Sequence, residues 1–147
     1  MIYELKGDLL ESDCNVLIHS CNCFHTMGAG IAKTISARYP MALIADKQTR
    51  YGDRKKLGSF SAAQAPDGRL IYNLYGQYRY GRGRRQVDYA ALEMGLERIK
   101  KDMEFYAAFY KAGTCRMGCG LAGGDWAIVS GIINKVFPYT DIHVYVW

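Results

Sequence analysis

Histidine, cysteine and arginine are the residues of this chain with chemistry to offer, and they cluster. His19, Cys21, Cys23 and His25 alternate within "HSCNCFH". Imidazoles and thiolates together suggest zinc ligands, but the spacing opposes that reading. In extended chain, residues two apart lie roughly 7 Å apart, so the four span roughly 20 Å. A tetrahedral zinc holds its ligands at about 2.0–2.3 Å. No metal is expected. His19 and His25 remain as candidate proton carriers beside a glycine-containing turn. Cys23 lies next to Asn22, but a cysteine nucleophile needs an electropositive setting, and none is legible around it.

A different chemistry is written in the glycines. The stretch "GCGLAGGDW" puts four glycines among residues 118–124, and "NCFHTMGAG" ends in Gly28 and Gly30. A turn without Cβ atoms can point its backbone N–H groups inward as a nest for an anion, and a following helix N-terminus adds partial positive charge. One such turn is as readily a tight connection. Two, each after an apolar strand and before a helix, favour a site that grips a diphosphate. Neither is a P-loop, since no Gly-Lys-Ser/Thr follows, and neither fits the Gly-x-Gly-x-x-Gly of dinucleotide folds. A third segment, "YRYGRGRRQ", interleaves Arg79, Arg82, Arg84 and Arg85 with tyrosines. That pattern suits single-stranded nucleic acid. It also describes, more simply, a solvated loop that draws a phosphorylated molecule towards a cleft.

The elements that must hold these turns are readable from period and punctuation. "IYELKGD" alternates and then turns near Gly7 and Asp8, and "NVLIHSCN" has the nearly continuous apolar look of a strand buried on both faces. "MGAGIAKTISARYP" gives a turn and a short helix with Ile31, Ile35 and Arg38 on one face; Pro40 opens the next helix. "KLGSFSAAQ" and "GRLIYNLYG" read as strands joined by "APDG". Asp88 predicts an N-cap before Tyr89, Leu92, Leu96, Ile99 and Met103 at helical spacing. "EFYAAFYKAGTCRM" reads as a helix end and a strand with Gly113 between them, and "TCRM" is more polar than a buried strand should be. Asp125 predicts a cap for a last helix with Trp126, Val129, Ile133 and Val136 as its core face, and "DIHVYVW" closes the chain as a strand. This alternation predicts an α/β fold with helices on both faces of a mostly parallel sheet. Ligands of such sheets bind at strand carboxyl ends, where both glycine turns fall.

Composition narrows the class. Residues 1–147 are read as a single domain, long enough for one core. Half the residues are apolar and 22% are charged, which excludes a disordered chain. No run approaches the roughly 20 apolar residues of a membrane span. "MIYELKGDLLESD" carries acids where a signal peptide would be basic and then apolar. The expectation is a soluble, cytoplasmic protein with no membrane partner. Five cysteines without a secretory pattern read as reduced thiols. The net charge of +5 suits an anionic small molecule and weak nucleic-acid contact alike.

"KGDLL", "HSCNCFHTMGAGIA" and "GCGLAGGDW" in this order resemble a macrodomain, from about Lys6 to Trp147. The similarity is to the branch holding ADP-ribose 1″-phosphate phosphatases and terminal ADP-ribose–protein glycohydrolases. It implies a three-layer α/β/α fold with a mostly parallel, mixed central sheet. It implies ADP-ribose or ADP-ribose 1″-phosphate as ligand, ADP-ribosylated macromolecules as further partners, and no cofactor. By position, Asp8 would accept from the adenine amino group, with Leu9 beside it and Tyr145 covering the ring. Asn22 would approach the distal ribose. Met27, Gly28, Ala29, Gly30 and Ile31 would line one side of the diphosphate, and Gly118, Cys119, Gly120, Leu121, Ala122 and Gly123 the other.

Two departures from that branch matter. The glycohydrolases it includes carry a lysine after the "IYNLYG"-like strand and an acid after Gly-Cys-Gly-Leu; this chain has Gln77 and Ala122 there. Glutamine forms no Schiff base and alanine moves no proton. The resemblance therefore implies phosphate removal from ADP-ribose 1″-phosphate, with His19 and Asn22 as the catalytic candidates because "LIHSCNC" is similar to the phosphatases there. A non-catalytic ADP-ribose reader, or an ADP-ribosyl hydrolase of another mechanism, stands as the alternative. So does the bland reading of His19 as a satisfied core residue and of Asn22 as a local turn-former.

Overall fold

The structure, a computed structural model, describes residues 1–81, 84–106 and 109–146, with Tyr106 given by its backbone alone. Arg82 of the arginine segment and Trp147 of the final strand lie outside the described residues.

The strands are β1 (Ile2–Lys6), β2 (Val16–Cys21), β3 (Phe60–Gln64), β4 (Leu70–Tyr75), β5 (Ala112–Thr114) and β6 (Ile142–Val146). They form a sheet in the order β1-β6-β5-β2-β4-β3. Every pairing is parallel except β3 with β4, which are joined through the turn at Gly68. The helices are α1 (Gly30–Arg38), α2 (Pro40–Lys47), α3 (Tyr89–Tyr106) and α4 (Trp126–Val136). The first pair covers one face and the second pair the other. This is the expected three-layer α/β/α fold with a mixed, mostly parallel sheet. Among the described residues no helix is long and apolar enough to cross a membrane.

Alternation along β2 explains why one strand serves two cores. Val16 and Ile18 pack with Leu92, Leu96, Ile99, Val129 and Ile133 of α3 and α4. Leu17 faces the opposite way, with Ile35, Tyr39 and Ala42 of α1 and α2. Full burial of each such aliphatic side chain stabilises by roughly 1.5–3 kcal/mol. The expected caps are in place. Asp88 Oδ1 accepts from Ala91 N at 3.0 Å, and Asp125 Oδ1 accepts from Ala127 N at 2.9 Å. Trp126 is half-buried against the α3/α4 core.

One boundary differs from expectation. Gly113 is the middle residue of β5, not a break before it. A Cβ there would stand 2.7 Å from Cys14 Sγ and 2.8 Å from Leu9 Cδ1. The strand is glycine-centred because the Leu9 turn presses onto the sheet at that point. The polar residue that follows is satisfied as well as buried: the Thr114 hydroxyl donates to Ile18 O at 2.6 Å.

Candidate functional site

All parallel strands end on one side of the sheet, and β5 neighbours β2 with Ile18 opposite Thr114. The two glycine turns are therefore adjacent. They wall a cleft of about 620 Å³ whose third side is Gln77, Tyr80 and Gly81 after β4.

The turn after β2 is built around Asn22. Its Oδ1 accepts from Phe24 N at 2.8 Å, and its Nδ2 donates to Thr26 Oγ1 at 2.7 Å. The amide thus fixes the turn while its residue lines the cleft. The turn delivers Gly28 and Ala29 to the start of α1. Among the described residues no side chain caps that helix, in contrast to α4, so its first-turn N–H groups and partial positive charge are directed into the cleft.

The turn after β5 closes on itself. Gly124 N donates to Gly118 O at 2.7 Å, and Ala122 O accepts from Gln86 N at 2.7 Å. Gly118 and Gly123 both adopt φ +73°, which glycine takes without steric cost. The amides of Gly120, Leu121 and Ala122 find no protein acceptor among the described residues. Facing them are Gly28, Ala29, Gly30 and Ile31, so the cleft presents main-chain donors from two sides.

Of the residues expected at a ligand, Asn22, Gly28, Ala29, Gly30, Ile31, Gly118, Gly120, Leu121 and Ala122 line this cleft. The other expected members lie behind or beside it. Met27 is buried in the α1/α2 core and Cys119 packs on the α3/α4 core. Gly123 sits against the backbone of Arg84 and Arg85. Asp8 caps the 3-10 turn Leu9–Glu11, accepting from Leu10 N at 2.9 Å. Leu9 is buried in the α1/α2 core with Tyr145 packed against that cluster. These three stand at the carboxyl ends of β1 and β6, on the same side of the sheet but outside the lining.

His19 is not brought to the cleft. Its ring is fully buried under α2, and its Nε2 lies 2.6 Å from Asn73 Oδ1. Asn73 Nδ2 donates to Ala42 O, so Oδ1 is the acceptor and Nε2 carries the proton. Burial pushes the imidazole down to about 4, against the opposing pull of Asn73 and Asp46. His25 is also turned away, with Nε2 2.7 Å from Thr49 O. The buried ring of His19 bears instead on acid stability. The unfolded ring takes its proton near pH 6.5, the folded one only near 4. The His19 contribution is therefore fully present well above pH 6.5 and is lost as pH drops, by about 3 kcal/mol at pH 4. In urea titrations between pH 7 and 4, His19→Gln, which cannot charge, should flatten this slope; an unchanged slope would assign the acid sensitivity elsewhere.

Sequence reasoning missed Ser20, Cys21, Thr26 and Cys115 as lining residues. Ser20 Oγ is the one buried side-chain polar atom without a partner among the described residues. It has room because residue 76 is glycine: a Cβ there would sit 2.5 Å from Ser20 Oγ. No local signal announces that contact between strands. Among the described residues that line the cleft there is no histidine, lysine or carboxylate, and the charged side chain is that of Arg116. Burial raises the Cys21 thiol well above its usual range and Cys115 to about 11. Arg116 is turned to Glu4, Nη2 to Oε1 3.1 Å, and over Trp126. The cleft's pull on an anion comes from main-chain dipoles together with Arg116, which also lines it.

No family model matches the chain. A 17.5 kDa protein from the tk–vs intergenic region of Enterobacteria phage T4 is 32% identical, covering 100% of this chain and 97% of its own. ADP-ribose glycohydrolase OARD1 of Bos taurus is 31% identical over 99% of this chain and 90% of its own. An ADP-ribose 1″-phosphate phosphatase of Candida glabrata is 25% identical over 98% and 97%. The macrodomain of Thermus aquaticus DarG superposes with a TM-score of 0.80 over 100% of this chain and 99% of its own, at 19% identity. The chain is a macrodomain. A Thermosipho africanus DarTG structure in complex with ADP-ribose matches the macrodomain with a TM-score of 0.79, 17% identity, 98% of this chain and 41% of that one.

Proposed function

We propose that the cleft binds ADP-ribose and that the protein is a hydrolase releasing phosphate from ADP-ribose 1″-phosphate. The observation that carries this reading is the meeting of two turns with unpaired amides, one of them opening an uncapped helix. The two walls take the diphosphate. Sheet order supports one orientation: Asp8 and Tyr145 at the β1/β6 end for adenine, Asn22 and Gln77 towards β4 for the distal ribose. The related fold that holds ADP-ribose and the relative named as a phosphatase point the same way.

Such a reaction can run without a side-chain acid. Water adds to C1″ as the C1″–O bond breaks, and phosphate leaves with the bonding electrons. The ring oxygen shares the developing positive charge, as in glycoside hydrolysis. Phosphate departs as a stable anion and takes up the proton that the water releases, so a protein donor gains little. Oriented amides stabilise the departing charge without reorganising. Calorimetric titration with ADP-ribose tests the binding. Turnover in ¹⁸O-water tests the chemistry: released phosphate should keep its original oxygens, and label in phosphate would mean attack at phosphorus. A second reading, a reader of ADP-ribose without turnover, is favoured by the same lack of histidine, lysine and carboxylate; saturable binding with no phosphate release would select it.

A further inference from the structure

Beside the cleft, five rings meet. Phe24 packs edge-on against Tyr51, Tyr78 and Tyr80 at centroid distances of 5.4, 4.9 and 6.4 Å, and His25 lies 5.4 Å from Tyr51. The Arg54 guanidinium sits 3.9 Å from the Tyr78 centroid and that of Arg79 5.7 Å from it. Three separate segments are tied together to make this cluster. Cys23 N donates to Tyr78 O at 3.0 Å, Gly52 N to Cys23 O at 2.7 Å, and the Tyr78 hydroxyl to Gly52 O at 2.7 Å. Yet Tyr51 and Tyr80 remain 69% and 61% exposed. Arg50, Arg54, Lys55 and Arg79 are exposed around them. The nearby carboxylates are engaged: Asp53 accepts from Lys55 N, and buried Asp46 accepts from the Tyr75 hydroxyl. Tyr80 also lines the cleft, so the surface begins at its mouth.

We infer that this face is a docking surface for single-stranded nucleic acid. Bases stack on exposed aromatic rings while guanidinium groups hold the phosphates. The near-perpendicular rings, 88° for Phe24 against Tyr51, present separate faces and not one apolar patch of the kind a protein partner needs. An acidic peptide would use the arginines and leave the rings idle, and a duplex hides its base faces. The arginine signal is redistributed relative to its place in sequence. Arg79 joins the cluster, Arg85 stacks instead over Tyr89, and Arg54 and Tyr51 arrive from a segment that carried no such signal.

The inference stands apart from the cleft's proposed chemistry, since Tyr51, Arg54 and Arg79 are not lining residues. Fluorescence anisotropy with labelled oligo-dT and oligo-U of about 12 nucleotides, starting near 50 mM salt, tests it. Saturable binding of either strand is expected. Tyr51→Ala should weaken it roughly tenfold and leave the urea midpoint and ADP-ribose titration unchanged, while Tyr51→Phe keeps it. Arg54→Ala should reduce the log–log salt slope by about 0.7. No binding at low salt, an unaffected Tyr51→Ala protein, or equal affinity for a duplex or for polyglutamate would each overturn the proposal.

Discussion

Replacing Arg69 with alanine is expected to lower the unfolding free energy by about 3–5 kcal/mol. Its guanidinium is buried and donates to Cys14 O at 3.0 Å, to Leu10 O at 2.7 Å and to Ser12 O, and it reaches the Tyr39 hydroxyl at 2.9 Å. Tyr39 in turn donates to Asp67 Oδ2 at 2.7 Å. Removing the side chain leaves carbonyls of the Leu9–Cys14 segment without donors, each costing about 1–3 kcal/mol when buried. Arg38 also reaches Leu10 O and compensates there, but nothing else among the described residues donates to Ser12 O or Cys14 O. Arg69→Lys should recover little, because one ammonium cannot span the carbonyls that a planar fork does. Urea denaturation decides the point; a loss below about 1 kcal/mol would mean that the segment is held by its apolar contacts alone. Because Asp8 leads directly into this segment, a folded Arg69 variant should also show altered nucleotide affinity if the adenine end lies there.

The second large effect concerns Gly124. A Cβ at this position would stand 2.5 Å from Gly118 O and 2.9 Å from Val87 Cγ1. The first of these is main chain, and it is the acceptor that closes the turn. Gly124→Ala must therefore open the neck of the loop and re-aim the amides of Gly120, Leu121 and Ala122. Loss of two amide–phosphate hydrogen bonds, at about 1.5–3 kcal/mol each, corresponds to a fall in ADP-ribose affinity of about a hundredfold or more. Gly131 of α4 is the control, since a Cβ there meets nothing within 4 Å and Gly131→Ala should bind normally. Calorimetry on both variants reads the difference. Binding of the Gly124 variant within about threefold of the unmodified protein would remove the two-turn grip from consideration.

The sequence carried the frame of this molecule well because its signals are local. Asp88 and Asp125 cap the helices they precede, Pro40 sits at the first helical position of α2, and the glycines of both turns mark strand ends. The site was legible only where main chain does the work. Side-chain direction was not legible on β2: a strand buried on both faces does not reveal which face meets the cleft, so His19 looked available and is sealed beneath α2. Gly113 was misplaced for a related reason, since its cause is the approach of Leu9 and Cys14 from more than ninety positions away. The Tyr51–Arg54 part of the aromatic cluster had no signal either, because it faces Phe24 and Tyr78 only through tertiary contact.

The start of α1 has a thermodynamic consequence. A helix that lacks its own terminator is completed by whatever anion settles against it, so occupancy of the turn and order in the first coil of Gly30–Arg38 become two readings of one equilibrium. Amide exchange along that coil would then serve as an internal meter of ligand, requiring no label on the nucleotide and no turnover.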